Sequence, residues 1–319
     1  MNGMTFEQLK IFLEVAQHLH FTKAAEILFL TQPAVSAAIQ RLEEQYEVKL
    51  FERTGRRVEL TEAGKFLQQE AQTILDQVSL TERGLREFTN LKRGNLKLGA
   101  SLTTGNYWLP SLISRFKRQH SGIQISCHLN NTEAIISGTV SGQFDLGLVA
   151  GIVQPDNIDS LTQQVVGYDR LQVIVGCTHP WFERTTVSLT DLLTASWVMR
   201  EAGSGTRQQF EQKLRTFGID PSKLIVQIEM SSGEMVKAAV EEGAGITAIS
   251  ELLIKKELQL ETLKILQVTD SANNTVALSE MNRPFILLKH QKRFQTRAAA
   301  SFEQFLISYN NLSDGPIQG

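Results

Sequence analysis

The chain has 319 residues, 42% of them hydrophobic and 21% charged, with a formal net charge of -2. That length exceeds the usual single domain, so two or three folding units are expected, each able to bury its own core. The charge balance gives no support to nucleic-acid binding by composition alone, no segment reaches the ~18 consecutive apolar residues that span a bilayer, and the start MNGMTFEQLKIFLEV lacks the pattern of a signal peptide. A cytoplasmic protein without a membrane partner is expected. Cys127 and Cys177 lie in the apolar runs IQISCHL and LQVIVGC, match neither a disulfide framework nor a metal-ligand spacing, and are expected as buried strand thiols.

Thr5 followed by Gln8 reads as a capping box, and Phe6, Leu9, Leu13 and Ala16 then recur at helical spacing, which predicts a first helix to about His18. After the aromatic connector Phe21, Thr22 is expected to cap a short helix from Lys23 to about Phe29, whose Ala24 and Ala25 let a neighbour pack closely. Leu30 enters a turn. Thr31 reads as a third N-cap, Pro33 is tolerated in a first turn whose amides have no intrahelical partner, and a third helix is predicted from Gln32 to about Gln45. Val35, Ile39 and Leu42 form one stripe of it, leaving Pro33, Ala37, Gln40 and Arg41 opposite, with Gln32 and Ser36 near the leading end. Such a helix fits a major groove: Gln32 suits bidentate contact with adenine, and Pro33, Ser36 and Ala37 are small enough for close approach. The same three helices would equally make an ordinary small bundle.

The next stretch, LFERTGRRVELT, reads as two short extended segments joined at Gly55, with Arg53, Arg56 and Arg57 around the turn. Arginines on a hairpin after such a helix either lie on phosphates and in a minor groove or make a solvated turn. Together, FTKAAEILFLTQPAVSAAIQRLEEQYEVKLFERTGRRVELTEAG resembles the DNA-binding signature of LysR-type transcriptional regulators over roughly the first 65 residues. The resemblance implies a winged helix-turn-helix over 1–60 in which Gln32, Pro33 and Ser36 face base edges, Thr31 caps the helix and touches phosphate, and Arg53, Arg56 and Arg57 belong to the wing. The family usually has Leu-Gly where this chain has Tyr46-Glu47, so the left-handed cap that glycine gives most easily must be built differently.

From Thr61 the chain runs without proline to about Lys92 and predicts a linker helix over 61–93. Leu67, Ala71, Ile74, Val78, Leu85 and Phe88 fall on a heptad seam with Thr81 in its polar slot, which points either to a paired helix or to one packed on its own domain. A pair implies at least a dimer, two recognition helices and double-stranded promoter DNA with an imperfect palindrome, its half-sites about one helical turn apart.

Beyond residue 93 strands and helices alternate, the sign of a parallel α/β sheet. LKLGAS, IQISCHL and FDLGLVA read as strands with helices around Tyr107–Arg118 and Glu133–Ser141 between them. LQVIVGC, ASWVMR, LIVQIEM and GITAIS follow, separated by helices near Leu189, Thr206–Phe217 and Gly233–Glu242, before FILLKH and a closing helix over about 296–309. This two-lobed plan, with lobe I over about 94–168 and 272–310 and lobe II over about 169–271, is similar to the effector domain of the same regulators, itself similar to type 2 periplasmic binding proteins. The domain, over 94–319, is accordingly expected to bind an effector.

In such sheets ligands bind beyond the carboxyl ends of strands, where helix N-termini point their amides outward. Ser101, Thr103 and Thr104 follow one strand, Asn131 and Thr132 another, and Arg200, Ser204, Gly205, Thr206 and Arg207 a third, in loops that serve either as simple helix caps or as a cradle for a small anion. The expected effector bears a carboxylate or phosphate, with a neutral or aromatic molecule as the alternative, and no cofactor or metal is expected. REAGSGTRQQFE and MSSGEMVKAAVEEGAGI resemble regulators of carbon-fixation and sulfur-assimilation operons. Such regulators commonly form tetramers through their effector domains, and contact with RNA polymerase is a possible further partnership. An enzyme is not expected: the histidines show no HExxH-like spacing, and there is no nucleophile elbow or Walker loop. An exported solute-binding protein would share the second half but not the helix-turn-helix.

Overall fold

A computed structural model describes residues 3–54, 57–89, 94–151, 153, 160–269 and 281–313. The chain divides into two compact units, one covering Met1–Leu85 and one from Arg86 onward, Ser141–Gln143 excepted. The first unit contains α1 (Phe6–His18), α2 (Phe21–Leu28), α3 (Gln32–Tyr46), β1 (Phe51–Thr54), β2 (Arg57–Leu60) and most of α4 (Glu62–Thr89).

Local capping sets these helices. Gln8 N donates to Thr5 Oγ1 at 3.2 Å and Thr5 N donates to Gln8 Oε1 at 2.9 Å, the reciprocal pair expected of a capping box. The second helix starts earlier than the sequence suggested, because His20 rather than Thr22 is its cap, with Nδ1 accepting from Lys23 N at 3.2 Å. Phe21 thus joins the helix and sets its ring against Phe51, 5.7 Å away. Thr31 caps α3 as expected. Glu47 ends α3 at φ 53, so the left-handed cap is kept without glycine, at a cost of about 1–2 kcal/mol.

Phe12, Val15, Ala24, Val35, Ile39, Leu42 and Phe51 share one core. The hairpin pairs Phe51 with Leu60 through to Thr54 with Arg57, and its turn at Gly55 lies outside the described residues. Thr61 Oγ1 starts α4 by accepting from Gly64 N at 2.9 Å. The first turns of α4 pack on the helices before it, so Leu67 and Ala71 are buried in that core. Those two seam positions are therefore used within their own domain, a correction to the heptad reading. Ile74 and Leu85 are exposed at 40% and 63%, and Val78 is half-buried; the Phe88 side chain lies outside the described residues.

The larger unit runs β3 (Gly94–Ser101), a π-helical turn (Thr104–Trp108), α5 (Leu109–Gln119), β4 (Ile123–Asn130), α6 (Thr132–Ser141), β5 (Leu146–Ala150), β6 (Leu161–Gly176), β7 (Thr186–Ser188), α7 (Asp191–Thr194), β8 (Ser196–Arg200) and α8 (Gly205–Thr216). It continues with β9 (Ile225–Met230), α9 (Gly233–Glu241), β10 (Ile246–Ser250), α10 (Glu251–Gln259), β11 (Leu263–Ile265), β12 (Gln267–Thr269), β13 (Met281–His290) and α11 (Arg297–Ser313). One sheet has the order β4-β3-β5-β13-β6-β10-β8-β9, with β11 also on β6. β7 and β12 form a separate parallel pair.

The sheet is mixed rather than wholly parallel. β3 is parallel to β4 and β5, and β8 to β9 and β10, whereas β13 is antiparallel to both β5 and β6. β6 and β13 are the strands that carry the chain between the lobes, which is why they oppose their neighbours. Leu96, Leu98, Phe116, Leu146, Phe285 and Phe302 centre the first lobe; Leu171, Val173, Trp197, Phe210, Val268 and Met281 centre the second. The expected burial of the cysteines is corrected: both are exposed. Cys127 lies on edge strand β4, which is open from Ser126 onward, and Cys177 falls in the turn after β6.

Candidate functional site

The N-terminal unit presents one face of α3. Val35, Ile39 and Leu42 turn inward, leaving Gln32, Pro33, Ala37, Gln40 and Arg41 exposed and Ser36 half-buried. Gln32 Nε2 donates to Ser36 Oγ at 2.7 Å, so two residues expected to face base edges hold one another in place. Glu43 has a structural duty that the sequence did not disclose. Its buried carboxylate accepts from Leu50 N at 2.9 Å and Phe51 N at 3.3 Å and pairs with Lys49 at 2.7 Å, tying α3 to the first hairpin strand. Arg53 and Arg57 lie on the hairpin strands; their side chains, and all of Arg56, lie outside the described residues.

In the larger unit, loops at the carboxyl ends of strands from both lobes meet. Ser101, Leu102 and Thr103 follow β3, Asn131 and Thr132 follow β4, and Ala150 ends β5; opposite them stand Arg200 at the end of β8 and Ser204, Gly205 and Thr206 at the start of α8. The cavity among them has about 10 Å³ of free volume, roughly what one water needs. A metabolite is too large for the cavity in this arrangement. Gly205 N donates to Thr132 Oγ1 across the gap at 3.2 Å. A Cβ on Gly205 would sit 2.5 Å from Ala150 O and 2.6 Å from Thr132 Oγ1, so only glycine permits this approach.

Helix capping does not account for all of these hydroxyls. The Ser204 and Thr103 side chains make no cap bond to the helical turns they precede, whereas Asn131 Oδ1 does accept from Ala134 N at 3.0 Å. Two expected site residues face elsewhere. Thr104 is fully buried and bonded to Ser101 Oγ at 2.8 Å, and Arg207 is turned to Glu211, at 2.8 Å, and to Glu229. Arg207 Nη1 also donates to Arg200 O at 2.9 Å, so it steadies the loop rather than lining the cavity.

Two arginines line the cavity. Arg200 meets Glu201 in a two-oxygen fork, Nε to Oε2 at 2.7 Å and Nη2 to Oε1 at 2.8 Å. Arg283, on β13, was not expected. It is wholly buried, donates through Nε to Asp169 Oδ2 at 2.8 Å and through Nη1 to Thr206 Oγ1 at 2.9 Å, and places Nη2 2.6 Å from the same Asp169 oxygen without an aligned hydrogen bond. Burial pulls its pKa below the ordinary arginine value, with Asp169 opposing and the charge of Arg200 adding. The available signal was charge at the head of two strand-like runs, Asp169 and Arg170 in GYDRLQVIVG and Arg283 in MNRPFILL. Among the described residues no group of side chains is placed to hold a metal ion, and no helix is long and apolar enough to cross a membrane.

Comparison with known proteins decides the family. The model of the bacterial regulatory helix-turn-helix protein, lysR family, matches residues 6–65, and that of the LysR substrate binding domain matches residues 89–310. The chain is a LysR-type transcriptional regulator. The regulator is 33% identical over 312 residues to a probable RuBisCO transcriptional regulator of Chlorokybus atmophyticus, covering 97% of each chain. It is 32% identical over 298 residues to one from Synechocystis sp., covering 93% of this chain and 84% of the other. Of the two subgroups that the sequence resembles, carbon fixation is the one to which these relatives belong. Among solved structures it is similar in fold to CbnR, a LysR family transcriptional regulator, with a TM-score of 0.69 at 18% identity over 95% of this chain and 98% of that one. It is also similar to the Synechocystis CcmR regulatory domain in complex with 2-PG, with a TM-score of 0.59 at 23% identity over 68% of this chain and 98% of that one. The regulator is thus a DNA-binding protein with an effector-binding domain, and its family regulates transcription rather than catalysing a reaction.

Proposed function

We propose that the regulator is controlled by a small metabolite bearing a carboxylate or phosphate, bound between the two lobes. The observation that carries this is the pair of buried guanidinium groups, Arg200 and Arg283, converging with the Ser204 and Thr103 hydroxyls on one cavity built by both lobes. Buried charged donors of this kind suit an oxyanion, and among the described residues the only apolar side chains in the lining are Leu102 and Ala150, which leaves little for a neutral aromatic ligand. CcmR, similar in fold, was solved with 2-PG. The test is calorimetry with 2-phosphoglycolate on the full chain and on a Thr103→Val, Ser204→Ala variant. Binding that weakens about tenfold or more in the variant, with promoter binding retained, supports the reading; an unchanged affinity places the site elsewhere.

On the DNA side, we assign Gln32, Pro33, Ser36, Ala37 and Gln40 to the major groove, Thr31 to phosphate as well as to the helix cap, and Arg53, Arg56 and Arg57 to phosphates and the minor groove. The resemblance to CbnR, solved with its target DNA, supports this placing. The three-part division into 1–60, 61–93 and 94–319 follows from the same reading. Pairing runs through Ile74, Val78, Leu85 and Phe88, giving a dimer on an imperfect palindrome and a tetramer through the effector domains, in the compartment that holds the DNA. Gln32→Ala then loses about 1–3 kcal/mol and relaxes preference at one base pair, while Arg56→Ala weakens specific and nonspecific binding alike with a shallower salt slope. Equal behaviour of the two across a set of operator mutants would contradict the assignment.

A further inference from the structure

We infer that Asp169 is a built-in competitor for the effector: its carboxylate holds Arg283 until the effector's anionic group takes over part of that guanidinium. The inference rests on the anionic-effector reading above and names the residues through which such a ligand acts. Asp169 and Arg283 face each other in register across β6 and β13, the two strands that pass between the lobes. The ion pair is almost wholly buried, and Arg283 also lines the cavity.

The two cavity arginines differ in how fully they are used. Arg200 meets both oxygens of Glu201, one per nitrogen, which completes a planar fork. Arg283 directs Nε and Nη2 at a single oxygen of Asp169, and Nη2 has no aligned acceptor although it is buried. A guanidinium offers five N–H donors, and a buried donor without an acceptor is costly to leave so. An incoming carboxylate or phosphate satisfies it. Because Nη1 of the same group holds Thr206 at the start of α8, a shift of Arg283 toward the ligand moves the second lobe's side of the cleft as well.

A purely structural ion pair makes the opposite prediction for one substitution. Asp169→Asn keeps the shape and one acceptor but removes the competing charge. Calorimetry of the full chain with 2-phosphoglycolate is expected to show binding tighter on the order of tenfold in Asp169→Asn, since one like charge leaves a buried anion site. A second variant, Asp169→Leu with Arg283→Met, removes both charges and so leaves neither buried alone. It is expected to melt cooperatively, bind promoter DNA and show no heat with 2-phosphoglycolate. Equal or weaker binding in Asp169→Asn, or wild-type binding in the double variant, overturns the inference while wild-type binding upholds the anionic cleft. Silence from wild type and Asp169→Asn together overturns both, and binding seen only in Asp169→Asn supports the competitor. Should the double variant not fold, the Asp169→Asn titration decides alone.

Discussion

Replacing Glu43 by alanine tests how the reading helix is held to the hairpin behind it. The carboxylate accepts from Leu50 N at 2.9 Å and Phe51 N at 3.3 Å, and it also pairs with Lys49, whose side chain is 76% exposed. The ion pair adds at most about 1 kcal/mol, because its cation is solvated. Hydrogen bonds to a charged acceptor contribute about 1.5–3 kcal/mol each. With the 3.3 Å bond counted at half, Glu43→Ala is expected to lose about 2–4.5 kcal/mol and Glu43→Gln about half of that. All three tryptophans, Trp108, Trp181 and Trp197, lie in the larger unit, so their fluorescence does not follow this change. The assay is therefore hydrogen exchange of the Leu50 and Phe51 amides in the full chain under native conditions, with promoter affinity measured alongside. Both amides are expected to lose protection, and promoter affinity to fall as the hairpin loosens, while the tryptophan melt stays unchanged. If Lys49→Ala costs as much as Glu43→Ala, the surface pair rather than the buried amide bonds holds the hairpin, and the reasoning fails.

Gly205→Ala forces its Cβ against Ala150 O and Thr132 Oγ1, so the tryptophan-reported unit is expected to lose about 1–3 kcal/mol and effector affinity to fall with it; an unchanged urea midpoint would contradict this. Leu67→Ala is expected to cost the N-terminal core about 2–5 kcal/mol and leave the sedimenting mass unchanged, whereas Leu85→Glu should lower the mass without affecting the core. A dimer that survives Leu85→Glu removes the seam. The pH dependence has a definite sign. Burial, with neighbouring positive charge, holds His179 and His290 below the ordinary histidine value, so below about pH 6.5 the unfolded chain takes up these protons first and stability falls. Asp191 is held below its ordinary value by hydrogen bonds from Ser188, so its contribution is present above about pH 4 and is lost as the pH falls further. Tryptophan-monitored melting between pH 7.5 and pH 4 is expected to drop monotonically, and a flat profile above pH 5 would oppose the histidine assignment.

Much of the molecule was legible because it is governed locally. The Thr5 and Gln8 box, the Thr31 cap and the Val35, Ile39 and Leu42 stripe each depend on residues within a turn or two, and the loops after β3 and β8 fall where any such sheet puts them. Features set by distant partners were not legible. Arg283 meets Asp169 across 114 positions of sequence, through a register that neither run states. The heptad spacing of α4 gives the direction of its apolar face but not what covers it, and Leu67 and Ala71 are covered by the helices before them. Cys127 sits in an apolar run that happens to be an edge strand. Arg207 reads as an anion ligand in sequence, but Glu211 on its own helix and Glu229 on β9 claim it.

The crossing strands also fix an order of assembly. The second lobe's core draws on residues from Leu171 to Met281, whereas the first lobe's core begins at Leu96 and is completed only by Phe302 and Leu306. A ribosome delivers the chain from its N-terminus at about 5–20 residues per second, so the second lobe is complete once Met281, the first residue of β13, has emerged, while the first lobe still waits for the rest of β13 and for α11. During that wait β5 lacks its partner β13 and offers an apolar, unpaired edge. A nonsense mutation between codons 281 and 302 therefore does not yield a regulator freed from its effector: it yields a finished second lobe joined to a first lobe that cannot close, and such a product should be recovered as aggregate or not at all.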